Sequence, residues 1–119
     1  MAGQRILLVD DSALVRAVVV HALTQHGLTV TAIEDPRQLA DAVERDRPDL
    51  LLVDATFPGV DHDMLAALVK PHSDARPVIL FSDRPAAELA GLVTRMGARG
   101  SLPKDAADAL GKKLEAFLG

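Results

Sequence analysis

Short apolar runs alternate with longer stretches of helical periodicity along the whole chain. Glycine, proline or aspartate bounds each run, a pattern typical of strands that alternate with helices. The predicted strands cover residues 5–9, 29–33, 50–53, 78–81 and, more weakly, 99–102. The first, third and fourth are continuously apolar, as central strands of a parallel sheet are when helices cover both faces. The second and fifth are therefore expected nearer the edges.

Helical stretches fill the gaps between these runs, at residues 12–26, 36–45, 62–69, 85–96 and 105–118. Pro36 and Pro85 suit the first turn of a helix, Asp105 suits an N-cap, and Gly27 and Gly97 suit the left-handed residue that ends a helix. Crossovers between parallel strands are right-handed. We therefore predict a doubly wound α/β fold, with a five-stranded parallel sheet in the order 2-1-3-4-5 and helices on both faces.

Composition narrows the functional classes. A length of 119 residues predicts one domain, residues 1–119. The net charge of −4, with arginines scattered singly, argues against direct nucleic-acid binding. The absence of cysteine excludes disulfides, thiolate zinc sites and a thiol nucleophile. No apolar run approaches the roughly 18 residues of a membrane span, and no secretion signal is seen, so a cytoplasmic location is expected.

Polar side chains follow several of the predicted strands. Asp10 and Asp11 follow the first strand, Asp54 the third and Ser82 the fourth, and the fifth runs into Lys104. In an open parallel sheet the ligand site lies outside the carboxyl ends of the strands, where the strand order reverses. These three carboxylates, the hydroxyl and the ammonium are therefore expected on one rim of the molecule.

Three adjacent carboxylates repel one another, and a hard divalent cation relieves this better than protonation at neutral pH. Oxygen ligands favour magnesium over zinc or copper, and magnesium also accepts phosphate oxygens. Asp54 can then act as a carboxylate nucleophile that forms an acyl phosphate. Magnesium, Lys104 and Ser82 would hold the phosphoryl oxygens as charge spreads over them.

Four segments carry a resemblance to a known family: ILLVDDS at 6–12, LLLVDATFPG at 50–59, FS at 81–82 and GARGSLPKD at 97–105. Each is weak alone, but their order and spacing are specific. Over its whole length the chain resembles the CheY-like receiver domain of bacterial two-component response regulators.

This resemblance implies that Asp54 accepts a phosphoryl group from a phosphohistidine on a sensor kinase or phosphotransfer protein. It further implies that Asp11 binds Mg²⁺ directly and Asp10 largely through water, with the backbone carbonyl of Thr56 as a further ligand. Ser82 would reach for a phosphoryl oxygen and Lys104 would pair with it.

Two positions depart from the family pattern. Ser101 stands three residues before the lysine, where a tyrosine or phenylalanine usually serves as the switch, and Asp83 stands where alanine or glycine is usual. We expect Asp83 to add a fourth carboxylate near the site, whose charge would slow phosphorylation or alter metal affinity. Without the aromatic switch, the face formed by the fourth helix, fifth strand and fifth helix would signal to a downstream protein by another route, or respond weakly.

Two alternative functions stay open. A pseudo-receiver would keep the fold and bind partners without phosphorylation, as Ser101 and Asp83 favour. A magnesium-dependent phosphatase with an aspartate nucleophile is less well matched, because haloacid dehalogenase-like enzymes carry Asp-x-Asp after the first strand. Simpler structural roles are also considered: Asp10 and Asp11 as helix caps, Ser82 as a strand-end hydroxyl and Lys104 as a solvated lysine.

Overall fold

Five parallel strands form a single sheet in a computed structural model that describes residues 4–104 and 109–118. The order β2-β1-β3-β4-β5 and the edge positions of β2 and β5 are as predicted. Asp54 and Ser82 are the last residues of their strands rather than the first residues after them. The strands are β1 (Arg5–Val9), β2 (Thr29–Ile33), β3 (Leu50–Asp54), β4 (Val78–Ser82) and β5 (Gly100–Pro103).

Five α-helices connect and follow these strands in the described residues. They are α1 (Ala13–Gln25), α2 (Leu39–Asp46), α3 (His62–Val69), α4 (Ala86–Met96) and α5 (Leu110–Leu118). The second predicted helix was too long, because residues Pro36–Gln38 form a separate 3₁₀ turn. Pro85 precedes α4 as its N-cap rather than lying in its first turn. The predicted start of the last helix at Asp105 lies outside the described residues.

Helix ends follow the glycine pattern. Gly97 ends α4 with φ +68°, and Gly27 follows the last turn of α1 with φ +87°, both in the left-handed region that glycine enters without steric cost. Another glycine, Gly111, allows α1 and α5 to approach closely. A Cβ on Gly111 would lie 2.5 Å from Cγ of His26, so the imidazole packs directly on the α5 backbone.

Two apolar layers lie on opposite faces of the sheet. Alternate residues of the central strands point to opposite faces. Leu51 packs with α2, α3 and α4, whereas Leu52 packs with α1 and α5. This two-sided burial explains why the central strands are continuously apolar. No helix in the described part of the chain is long and apolar enough to cross a membrane.

Candidate functional site

Three carboxylates meet at the carboxyl ends of β1 and β3, next to the point where the strand order reverses. Oxygens of Asp10, Asp11 and Asp54 all lie within 4.8 Å of one another. Asp10 is fully buried and Asp54 is 6% exposed, whereas Asp11 is exposed. The structure thus brings together the acidic residues that the sequence placed at one rim.

Asp10 is held from several directions. Its backbone N–H donates to the carbonyl of Ile33 at 3.0 Å, and its Oδ1 accepts from the Ser12 N–H at 2.9 Å. Its carbonyl accepts from Nη1 of Arg16 at 2.7 Å. Its Oδ2 is buried and accepts no hydrogen bond of suitable angle from the described residues. A buried carboxylate oxygen in this state is energetically costly unless a cation lies nearby.

Among the described residues, Lys104 is the cation that pairs with these carboxylates. Its Nζ lies 3.0 Å from Oδ2 of Asp10 and 3.1 Å from Oδ1 of Asp54. The same ammonium lies 5.6 Å from the centre of the Phe81 ring, within the range of a cation–π interaction. One lysine therefore compensates two buried carboxylates.

The electrostatics of the cluster favour an additional cation. Burial raises the pKa of the Asp54 carboxyl, and repulsion from Asp10 raises it further, while Lys104 opposes both effects. Burial acts to lower the pKa of Lys104, but its two carboxylate partners outweigh it, and the pKa of Lys104 lies above its ordinary value. Lys104 is therefore positively charged at neutral pH, yet it does not fully offset the cost of ionising Asp54.

An open cleft of about 470 Å³ lies over this cluster. Ser82 is 5% exposed at its wall, and its Oγ accepts from the Arg84 N–H at 3.1 Å. Exposed residues at the rim include Thr56 and Asp83. Asp83 faces the cleft, but it does not belong to the group of carboxylates within 4.8 Å. The lining consists of Asp11, Asp54, Thr56, Phe57, Pro58, Ser82, Asp83, Arg84 and Lys104.

Comparison with known proteins decides the family. The family model described as "Response regulator receiver domain" matches residues 6–115. The chain belongs to the response regulator receiver domain family. This match confirms the family resemblance seen in the sequence.

Individual relatives agree with this assignment. The chain is 34% identical over 97 residues to the DNA-binding transcriptional regulator NtrC of Klebsiella pneumoniae, covering 82% of this chain and 21% of that protein. It thus spans about a fifth of the length of this curated relative. Two solved structures share the fold. Vibrio cholerae chemotaxis protein CheY4 is 26% identical with a TM-score of 0.86, and the match covers 98% of this chain and 100% of that chain. The receiver domain of the putative response regulator NarL from Mycobacterium tuberculosis is 26% identical with a TM-score of 0.80, and the match covers 98% of this chain and 96% of that chain.

Helix capping in this receiver domain is carried by residues other than Asp10 and Asp11. Ser12 caps α1, because its Oγ accepts from the Val15 N–H at 3.2 Å. Asp61 caps α3 by accepting from the Met64 N–H at 2.8 Å. The exposed carboxylate of Asp11 therefore lines the cleft without capping a helix, and the buried carboxylate of Asp10 pairs with Lys104 beneath it.

Two arginines of the receiver domain were missed as site residues by sequence reasoning. Arg84 lines the cleft two residues after β4, and its position beside a strand end could have indicated this. Arg16 reaches back from α1 to the Asp10 carbonyl, a contact between residues six apart that no local pattern signals. In contrast, Ser101 lies half-exposed on β5 beside Leu80 and is not among the residues lining the cleft.

Proposed function

We propose that this receiver domain accepts a phosphoryl group on Asp54, in a Mg²⁺-dependent reaction, from the phosphohistidine of a sensor kinase or phosphotransfer protein. The observation that carries the proposal is the joint placement of three carboxylates and one lysine beneath an open cleft. Such a set both binds a divalent cation and stabilises a phosphoryl group. No other described group of three or more acidic, histidine or cysteine side chains approaches this closely.

The acidic cluster fits Mg²⁺. All of its side-chain ligands are oxygens, and the single ammonium of Lys104 is shared between Asp10 and Asp54, with Oδ2 of Asp10 accepting no hydrogen bond from the described residues. The carboxylates of Asp11 and Asp54 would bind the ion directly, with the carbonyl of Thr56, and Asp10 would act largely through water. Bound there, the ion would neutralise charge on the carboxylates and on the phosphoryl oxygens.

Transfer from the donor is a substitution at phosphorus. A carboxylate oxygen of Asp54 forms a bond to phosphorus as the P–N bond to the donor imidazole breaks, and the bonding electrons remain on the ring nitrogen. The product is an acyl phosphate on Asp54 and a neutral donor histidine once the nitrogen is protonated. Later attack of water on phosphorus releases inorganic phosphate and restores the carboxylate.

Side chains around Asp54 would stabilise the transferred group. Lys104 Nζ is already 3.1 Å from Asp54 Oδ1, so it can pair with a phosphoryl oxygen after a small movement. Ser82 lies in the same wall of the cleft and its hydroxyl can donate to a second oxygen. Both movements would alter contacts at the ends of β4 and β5. We propose that the resulting change in protein binding, on the face of α4, β5 and α5, is the output.

A pseudo-receiver is the second candidate function. Asp83 lines the cleft and Ser101 replaces the usual aromatic switch, and both changes favour partner binding that does not depend on phosphorylation. In that case the acidic cluster would be retained without accepting a phosphoryl group.

Intact-mass measurement after incubation with acetyl phosphate and Mg²⁺ distinguishes the two functions. We expect the mass to increase by one phosphoryl group in the native chain and not in Asp54→Asn. Asp83→Asn is the matched control, because it removes one exposed carboxylate from the same cleft and should still be labelled. No labelling of the native chain, together with no binding of beryllofluoride in the presence of Mg²⁺, would favour the pseudo-receiver; equal labelling of Asp54→Asn would exclude Asp54 as the acceptor.

A further inference from the structure

Arg16 makes an unusual contact beside the acidic cluster. It lies half-buried at the end of the first turn of α1, and its Nη1 donates to the backbone carbonyl of Asp10 at 2.7 Å. Among the described residues, the guanidinium has no carboxylate oxygen within ion-pair distance. The guanidinium thus binds the neutral carbonyl of Asp10 and does not form an ion pair with any described carboxylate. The Arg16 side chain therefore acts on the cluster by holding the backbone in place, not by pairing with a carboxylate.

The carbonyl in question belongs to the peptide group that joins Asp10 to Asp11. A peptide group is planar, so fixing its oxygen also fixes the position of the next nitrogen and Cα. The hydrogen bond from Arg16 therefore restrains the position of the Asp11 Cα, from which the Asp11 side chain reaches the cluster.

Asp11 depends on this constraint more than its neighbour does. The Asp10 carboxylate is held by the Ser12 N–H and faces Lys104. The Asp11 carboxylate is exposed, and within residues 4–104 and 109–118 neither a hydrogen bond nor an ion pair restrains it. Its distance from the other two carboxylates therefore depends on where the backbone places its Cα.

We propose that Arg16 is a positioning residue that orients Asp11 and thereby sets the affinity of the cluster for Mg²⁺. This inference rests on the proposed function, because it assumes that the cluster binds the ion. Mg²⁺ requires nearly ideal octahedral geometry, whereas Ca²⁺ tolerates irregular and variable coordination. Misplacing one carboxylate therefore weakens Mg²⁺ binding more than Ca²⁺ binding.

The loss of the guanidinium charge and the loss of its hydrogen bond predict opposite changes in cation affinity for Arg16→Ala. Removing a positive charge near a cation site, with no other change, would strengthen binding of either ion. Loss of the hydrogen bond to the Asp10 carbonyl would instead leave Asp11 poorly oriented. The sign of the change in affinity therefore separates the two effects.

The test is calorimetric titration of the full chain with Mg²⁺ and with Ca²⁺. We expect Arg16→Ala to weaken Mg²⁺ binding about tenfold, as is typical when a residue that orients a ligand is lost, with a smaller change for Ca²⁺. Arg16→Lys should give an intermediate loss, because an ammonium keeps the charge but not the length and fork of guanidinium. Arg95→Ala is the charge-matched control, since Arg95 pairs with Asp63 on α3 and should leave both affinities unchanged.

Each result has a distinct meaning. Unchanged or tighter Mg²⁺ binding by Arg16→Ala, or equal changes for the two ions, would overturn the positioning role. If Arg16→Ala does not fold, native affinity in Arg16→Lys would overturn it as well. Failure of the native chain itself to bind Mg²⁺ would instead refute the proposed function.

Discussion

Replacing Asp54 by asparagine is expected to stabilise the metal-depleted protein at neutral pH. Burial and repulsion from Asp10 raise the pKa of Asp54 above that of an unfolded aspartate. A group with a raised folded-state pKa contributes stability below its unfolded-state pKa, and that contribution is lost as pH rises through the folded-state pKa. The native chain therefore carries an ionised, buried Asp54 at pH 7 at a cost that Asp54→Asn avoids.

The size of the effect follows from the distances in the cluster. With an effective dielectric constant of about 20, a carboxylate within 4.8 Å of another is repelled by at least about 3.5 kcal/mol. By the same relation Lys104, at 3.1 Å, attracts Asp54 by about 5 kcal/mol. The charges thus leave at most about 2 kcal/mol of net attraction, whereas burying an ion costs several kcal/mol. We expect Asp54→Asn to raise the free energy of unfolding by about 1–3 kcal/mol.

Urea unfolding followed by far-ultraviolet circular dichroism measures this difference, because the chain has neither tryptophan nor tyrosine for fluorescence. The measurements are made with EDTA at pH 7 and in the acid range, where the advantage of Asp54→Asn should shrink. Asp83→Asn, which removes an exposed carboxylate from the same cleft, should change stability by less than about 0.5 kcal/mol. Equal or lower stability of Asp54→Asn at pH 7, or an advantage independent of pH, would refute the reasoning.

Three further substitutions test other parts of the structure. Lys104→Met should lower the free energy of unfolding by about 3 kcal/mol without metal, because two buried carboxylates lose their cation; urea unfolding measures it. Asp83→Ala should speed labelling by acetyl phosphate about twofold, because removing this carboxylate reduces the repulsion of the anionic donor by about 0.5 kcal/mol. The labelling rate is measured from the intact mass as a function of time. Gly111→Ala should destabilise the protein by about 1–2 kcal/mol in urea, since its new Cβ collides with His26.

Each of these predictions has its own control. Lys104→Met is also made in the Asp54→Asn variant. If it lowers the free energy of unfolding there by as much as in the native chain, the charges of Lys104 and Asp54 do not interact. A labelling rate for Asp83→Ala no higher than that of Asp74→Ala, an exposed acid outside the cleft, would show that Asp83 does not repel the donor. Gly91→Ala, whose new Cβ meets nothing within 4 Å, should stabilise α4 by about 0.5–1 kcal/mol, and similar behaviour of Gly111→Ala would contradict the collision.

Sequence reasoning predicted the fold well because each central strand is apolar on both faces and is bounded by clear turn residues. It also predicted the meeting of Asp10 and Asp54, since the carboxyl ends of parallel strands share one edge. It did not predict that Pro36 starts a separate 3₁₀ turn, because proline suits the first turn of either helix type. Nor did it predict the contact from Arg16 to Asp10, which depends on the exact path of the chain between β1 and α1.

The two apolar layers on opposite faces of the sheet have a consequence for sequence variation. No side chain of the central strands belongs to both layers, so a cavity or an overpacked position on one side disturbs few contacts on the other. Energetic penalties from well-separated sites add almost independently. Compensating mutations within α1 and α5 can therefore repack that layer while α2, α3 and α4 keep their arrangement. The amino-acid sequences of the two helix layers can thus vary independently of each other.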